Sequence, residues 1–213
     1  MKLVDVAMYL VYIATYGVIV PVGIGLYLVR HLNKPLKIAL AGLCLSLVLD
    51  LGLLAVNFKI TNTFYYLFSG FDLLIMAWLY SSVITHKTFS NVIQWSGIFF
   101  IPLIGLDAFF ISGLTNNGFS NAVEKFYVMV IAIYYLTQLL LEKIDDDIRR
   151  QPLFWISAGI VIANLVGSFD IFSRPVINYS QTIYLQYFMF WSFVTILMFG
   201  AYSYAFWLSQ RDR

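Results

Sequence analysis

The chain has 213 residues, of which 61% are hydrophobic, 18% aromatic and only 11% charged. An ordinary soluble domain carries roughly a quarter charged residues, so a soluble globular domain is excluded. With 13 Lys and Arg against 11 Asp and Glu the net charge is +2, too little for a nucleic-acid partner, and a single cysteine, Cys44, excludes an internal disulfide framework or a cysteine zinc site.

A bilayer core of about 30 Å takes roughly 20 apolar residues of helix, because in lipid a helix satisfies its own backbone hydrogen bonds. Seven such runs are expected, at roughly 6 to 29, 37 to 57, 63 to 85, 92 to 114, 123 to 142, 152 to 173 and 182 to 207. The first follows Met1-Lys2-Leu3 without a small-x-small cleavage site and is read as a retained span, not a signal peptide. Pro21 and Pro102, inside the first and fourth runs, predict kinks, whereas Pro152 opens the sixth run, where no intrahelical bond is lost. The connections are short, so residues 1–213 are expected to form one all-α domain, a seven-transmembrane-helix bundle.

Lys and Arg favour cytoplasmic connections. Alternate connections hold Arg30, Lys34, Lys37, Lys87, Lys143, Arg149, Arg150, Arg211 and Arg213 on one side and Lys2, Lys59, Lys125 and Arg174 on the other. Nine against four places the N-terminus outside and the C-terminus in the cytoplasm. The densest charge cluster, Glu142 to Arg150, then faces the cytoplasm, as a solvated helix end or a docking loop.

Four carboxylates, Asp50, Asp72, Asp107 and Asp170, fall inside these runs with no Lys or Arg in a run interior to pair with them. Each costs about 2.5 to 3.5 kcal/mol near a helix centre, so something must offset a sum on the order of 10 kcal/mol. At about 1.5 Å per residue all four fall in the outer half of the bilayer. Helical spacing puts Gly42, Ser46, Asp50 and Asn57 on one stripe, Tyr65, Ser69 and Asp72 on another, and Gly159, Ala163, Gly167 and Asp170 on a third. Tyr127, Tyr134, Gln138 and Glu142 share a face of the fifth run, as do Tyr184, Tyr187, Trp191 and Thr195 of the seventh. If these stripes point inward, they form an outward-opening acidic and aromatic pocket for a small polar or cationic ligand. The candidate contacts are Asp50, Asp72, Asp107, Asp170, Ser46, Ser69, Asn57, Tyr134 and Trp191. The competing readings are protonated acids acting as interhelical glue, and a proton or cation relay.

Enzyme chemistries find little support. His31 and His86 are the only histidines and both fall in connections, so neither an intramembrane three-histidine metal site nor a Ser-His-Asp arrangement can be assembled. The last run has no lysine for a retinal Schiff base. No cofactor or metal is expected.

The stretch Pro152-Leu153-Phe154-Trp155-Ile156-Ser157-Ala158-Gly159-Ile160, with Asp72 and the Asn33-Lys34-Pro35-Leu36-Lys37 connection, resembles a group of small seven-helix integral membrane proteins of bacteroidetes-type bacteria. The resemblance implies a bacterial inner-membrane location. Some members look like the membrane part of signalling systems, and members often carry glutamate where this chain has Asp50 and Asp72. The expected role is therefore reception of a small molecule from outside, with a cytoplasmic signalling protein or a second copy reading the change. A cation- or proton-coupled transporter, or a structural subunit of a membrane complex, is the alternative.

Overall fold

The computed structural model describes residues 3–54, 58–111, 118–142, 147–177 and 181–210. Asn57 lies outside them, and at Asp170 only the backbone is described. The described residues are mostly helical, with no strand among them: α1 (Leu3–Gly17), α2 (Ile19–Tyr27), α3 (Lys34–Leu54), α4 (Phe58–Ser81), α5 (Lys87–Leu106), α6 (Gly118–Glu142), α7 (Pro152–Ile177) and α8 (Gln181–Leu208). Five stretches are long and apolar enough to cross a membrane: Val4–Tyr27, Lys34–Gly52, Lys87–Ile111, Phe119–Glu142 and Leu185–Leu208. Tyr66–Ser81 and Pro152–Ser168 are shorter apolar helical stretches.

Local chemistry sets the element ends. The first run is broken at Val18, between α1 and α2 and three residues before Pro21. A proline lacks the N–H that would bond the carbonyl four residues back, here Gly17, and its ring crowds that carbonyl. Asn33 caps α3 by accepting from Leu36 N at 3.1 Å, and His86 caps α5 by accepting from Phe89 N at 3.4 Å. Pro152 occupies the first position of α7, and Trp155 Nε1 donates to Arg149 O at 2.8 Å, pinning the preceding 3-10 turn (Ile148–Arg150) to that helix. At Pro102 the helix continues unbroken, and the irregularity comes five residues later as a π-helical turn, Asp107–Ile111.

The helices close a ring: α2 packs on α3, α3 on α4, α4 on α6, α6 on α7, α7 on α8, and α8 back on α1 and α2. Its core joins Val22, Leu36, Leu79, Ile131, Ile156 and Phe206. Helix α5 stands outside the ring against α4, and Gly97 sets the approach, since a Cβ there would lie 2.7 Å from Ala77 Cβ. Across to α6 it is bridged by long side chains: Tyr127 Oη donates to Ile93 O at 3.0 Å, and the Phe89 and Tyr134 rings stack with centroids 4.1 Å apart.

Candidate functional site

The polar centre forms where α4 meets α6. Glu124 is 5% exposed and Ser69 3% exposed, and Asp72 projects from the same face of α4 one turn after Ser69. The Glu124 side chain hydrogen-bonds both Ser69 and Asp72, and Lys125 lies within electrostatic range of both acids. A carboxylate only accepts hydrogen bonds, so a carboxyl-to-carboxyl contact requires at least one proton on the pair. With one proton shared, the two carboxyls and the ammonium sum to zero charge. That balance offsets part of the cost of withdrawing these groups from water, Glu124 being buried and Asp72 and Lys125 half-buried.

Gly167 of α7 makes room for the lysine. A Cβ there would stand 2.9 Å from Lys125 Cδ and 3.0 Å from Lys125 Nζ. The small-residue stripe of α7 therefore serves two neighbours: Gly159 lets α8 approach, with Met198 Cα 3.4 Å from where a Cβ would be, while Gly167 admits a side chain from α6.

From the acids a line of hydroxyls runs through the core. Tyr202 of α8 is 2% exposed and within electrostatic range of both Asp72 and Tyr80. Tyr80 Oη donates to Ser157 Oγ at 3.1 Å, joining α4 to α7 across the ring, and the Tyr80 and Tyr135 rings lie 5.9 Å apart. Tyr135 is in turn within range of Glu142 at the far end of α6. There Thr85 Oγ1 donates to Glu142 Oε1 at 2.7 Å, and Thr85 N donates to Gln138 Oε1 at 3.3 Å.

Asp107 has a different task. It is fully buried in the π-helical turn, and its Oδ2 accepts from Ser120 N at 3.0 Å and from the Ser120 hydroxyl. Ser120 lies in the first turn of α6, where unpaired backbone N–H groups and the helix dipole favour a negative group. This intramembrane acid is a cap supplied by the neighbouring helix.

Of the nine expected contact residues, the structure brings Asp72 and Ser69 together. Asp107 is engaged with Ser120. Asp50 and Ser46 are half-buried on the α3 stripe whose Gly42 faces Ile75 of α4. Tyr134 stacks on Phe89 of α5, because the Tyr127–Tyr134–Gln138–Glu142 face turns toward α5 and the α4–α5 connection. Trp191 meets Phe188 of its own helix, with ring centroids 6.3 Å apart.

The expectation that no Lys or Arg lies within a span is corrected by Lys125. It was assigned to a connection, yet α6 begins at Gly118 and carries it two turns in. Glu124 was missed for the same reason. Its spacing to the buried Val128, Ile131, Tyr135 and Leu139 repeats at three and four residues and places it on the inward stripe.

Outside the helical spans, the Arg149 guanidinium hydrogen-bonds the Asp147 carboxylate at 2.9 and 3.3 Å and holds it below its usual range. Among the described residues no group of three His, Cys, Asp or Glu is placed to hold a metal ion. Comparison with protein-family models, with curated proteins and with solved structures finds no match.

Proposed function

We propose that the chain is a membrane-embedded, receptor-like sensor whose responsive element is the Asp72–Glu124 pair, with a proton or small cation as its ligand. The observation that carries this reading is the carboxyl-to-carboxyl contact beside Lys125. A carboxyl pair that shares a proton changes charge when it gains or loses one, and ionisable groups inside a membrane mark sites of binding or relay. The space beside Glu124, bounded by Leu73, Leu103, Ile104 and Ser120, is about 20 Å³. That suits one water or a small ion better than an organic solute. Tyr202, Tyr80 and Tyr135, lying between the acids and Glu142, support a path to the far end of α6.

In this reading all seven helical rods span a bacterial inner membrane, with the N-terminus outside and the C-terminus in the cytoplasm. The five long apolar stretches, the two shorter ones and the charge asymmetry of the connections support it. A cytoplasmic protein, or a second copy, reads the change, and no catalysis is assigned. The resemblance to small seven-helix proteins of bacteroidetes-type bacteria fits this placement. A proton- or cation-coupled carrier using the same acids is the second reading, favoured by Lys125, whose ammonium can compete with an incoming cation for the pair.

Infrared difference spectroscopy on reconstituted protein tests the element itself. Raising the pH should remove a protonated-carboxyl band, and Asp72→Asn and Glu124→Gln should each abolish that change. A spectrum with no carboxyl change, or one indifferent to both substitutions, rejects the proposal. A dye-reported proton or cation flux in the same vesicles would select the carrier over the sensor.

A further inference from the structure

A second cavity lies on the opposite side of α4 from the acids, in the seam between α4 and α5. Its volume is about 300 Å³, and its walls are Leu67, Gly70 and Phe71 of α4 with Ile101, Ile104 and Gly105 of α5. It ends at Tyr66 and Leu74 on one helix and reaches Phe109 on the other. Eight residues at 1.5 Å each make this a trough of about 12 Å along both helix axes. Two glycines carve it: nothing lies within 4 Å of where a Cβ would stand at Gly70 or at Gly105. Gly97, one helical stretch away on α5, touches Ala77, so the same pair of helices is in close contact at one end and parted at the other.

The chemistry of the walls selects the occupant. Apart from the Tyr66 hydroxyl, no side chain there offers a hydrogen bond, so an amine, acid or sugar would be desolvated without compensation. The trough runs along α5, which is long and apolar enough to cross a membrane, and Phe109 at its end is exposed. Dry apolar cavities take apolar guests. A linear hydrocarbon chain lying along the helix axes matches the length, volume and polarity together.

Its position is the second observation. Ile104 lines both this trough and the small space beside Glu124, so the two spaces adjoin the same side chain. Ala108, at the end of the trough, follows Asp107, which caps α6. We infer that the α4–α5 trough is a binding site for one acyl chain of a bilayer lipid, partitioned from the Glu124 space by Ile104. This site goes beyond the sensing proposal and does not depend on the Asp72–Glu124 pair titrating.

The test uses the full chain in vesicles containing a phosphatidylcholine with a mid-chain diazirine, photolysed and mapped by peptide mass spectrometry. Label should concentrate on the 66–74 and 101–109 segments about tenfold over the exposed Phe190–Phe193 face of α8, a preference equivalent to about 1.4 kcal/mol. Gly70→Leu with Gly105→Leu should reduce it to the α8 level, with Gly105→Leu alone as the milder variant. Ile104→Ala should extend the label to Ser120 and Val123. Labelling spread evenly over exposed helix faces in the wild type overturns the site, because it shows surface lipid only. A concentrated map that Ile104→Ala does not extend overturns the partition. Neither result bears on the carboxyl band that tests the sensing proposal.

Discussion

Glu124 and Asp72 reach each other across the α4–α6 seam and hydrogen-bond carboxyl to carboxyl, with Lys125 supplying the charge that balances them. Charge balance, more than any single bond, is what this arrangement conserves. Lys125 is half-buried, so Lys125→Met should destabilise, by less than the about 3 to 5 kcal/mol lost when one partner of a fully buried pair is removed. Adding Asp72→Asn and Glu124→Gln to that variant should recover most of the loss, since neutral replacements of buried ionic groups are often harmless. Denaturant melts of the detergent-purified proteins decide it. A triple variant no more stable than Lys125→Met would show that shape, not charge, holds the seam.

Asp107 caps α6 from another helix, so its removal should act on α6. Asp107→Ala should cost about 1.5 to 3 kcal/mol, the range for a hydrogen bond to a charged group. Ser120→Ala, which leaves the backbone N–H bonded, should cost less. Hydrogen exchange at the first turn of α6 should rise in Asp107→Ala and stay near wild type in Ser120→Ala.

Tyr80 and Ser157 form one hydrogen bond between two residues with no measurable exposure. Tyr80→Phe strands the serine hydroxyl and should cost about 1 to 3 kcal/mol. Ser157→Ala in that background should then be nearly free. A double-mutant cycle showing simple additivity would mean that the two hydroxyls do not interact.

The two ends of the α4–α5 seam should respond oppositely to the same methyl group. Gly97→Ala meets Ala77 and should destabilise by about 1 to 3 kcal/mol through overpacking. Gly105→Ala enters open space and should be neutral or stabilising by up to about 1 kcal/mol, because alanine favours helix. Thermal melts of the two single variants, run side by side, test the contrast.

Asp147 is held below its usual range by Arg149. A group whose folded value is depressed contributes stability above its unfolded value and loses it as the pH falls through the folded one. The 3-10 turn before α7 should thus loosen on acidification below about pH 4. Asp147→Asn should remove that acid dependence. The indole signal of Trp155, which donates to Arg149 O, reports on the turn. An acid response unchanged in Asp147→Asn would assign it to another group.

Much of this was legible in the residues alone. The apolar runs located the helices because lipid allows them few other structures, and Pro21 marked the break at Val18 because a missing N–H and a ring clash are properties of the residue itself. Asp72 and Ser69, three apart, were placed on one face correctly. Glu124 and Lys125 were lost at an element boundary: adjacent charges look like the end of a span when α6 is begun at 123 instead of 118. Tyr134 shows the other limit. A polar stripe declares a common face, but which neighbour that face meets depends on where α5 packs, and no local pattern encodes it. The π-helical turn at Asp107 leaves no periodic trace, and only the cap it makes on α6 explains why an aspartate sits there.

The position of α5 outside the ring has a mechanical consequence. The ring helices α2, α3, α4, α6, α7 and α8 each pack against two neighbours, whereas α5 lies along α4, closest at Gly97, and is tethered to α6 by tyrosine side chains, not by backbone-close packing. A panel fixed at one edge swings at lower cost than any ring member, and such weakly buttressed elements are the first to open in local unfolding. The space beside Glu124 is bounded on one side by that panel, through Phe100, Leu103 and Ile104. Any outward swing of α5 would therefore widen the space beside Glu124 from its flank, and not along the bundle axis.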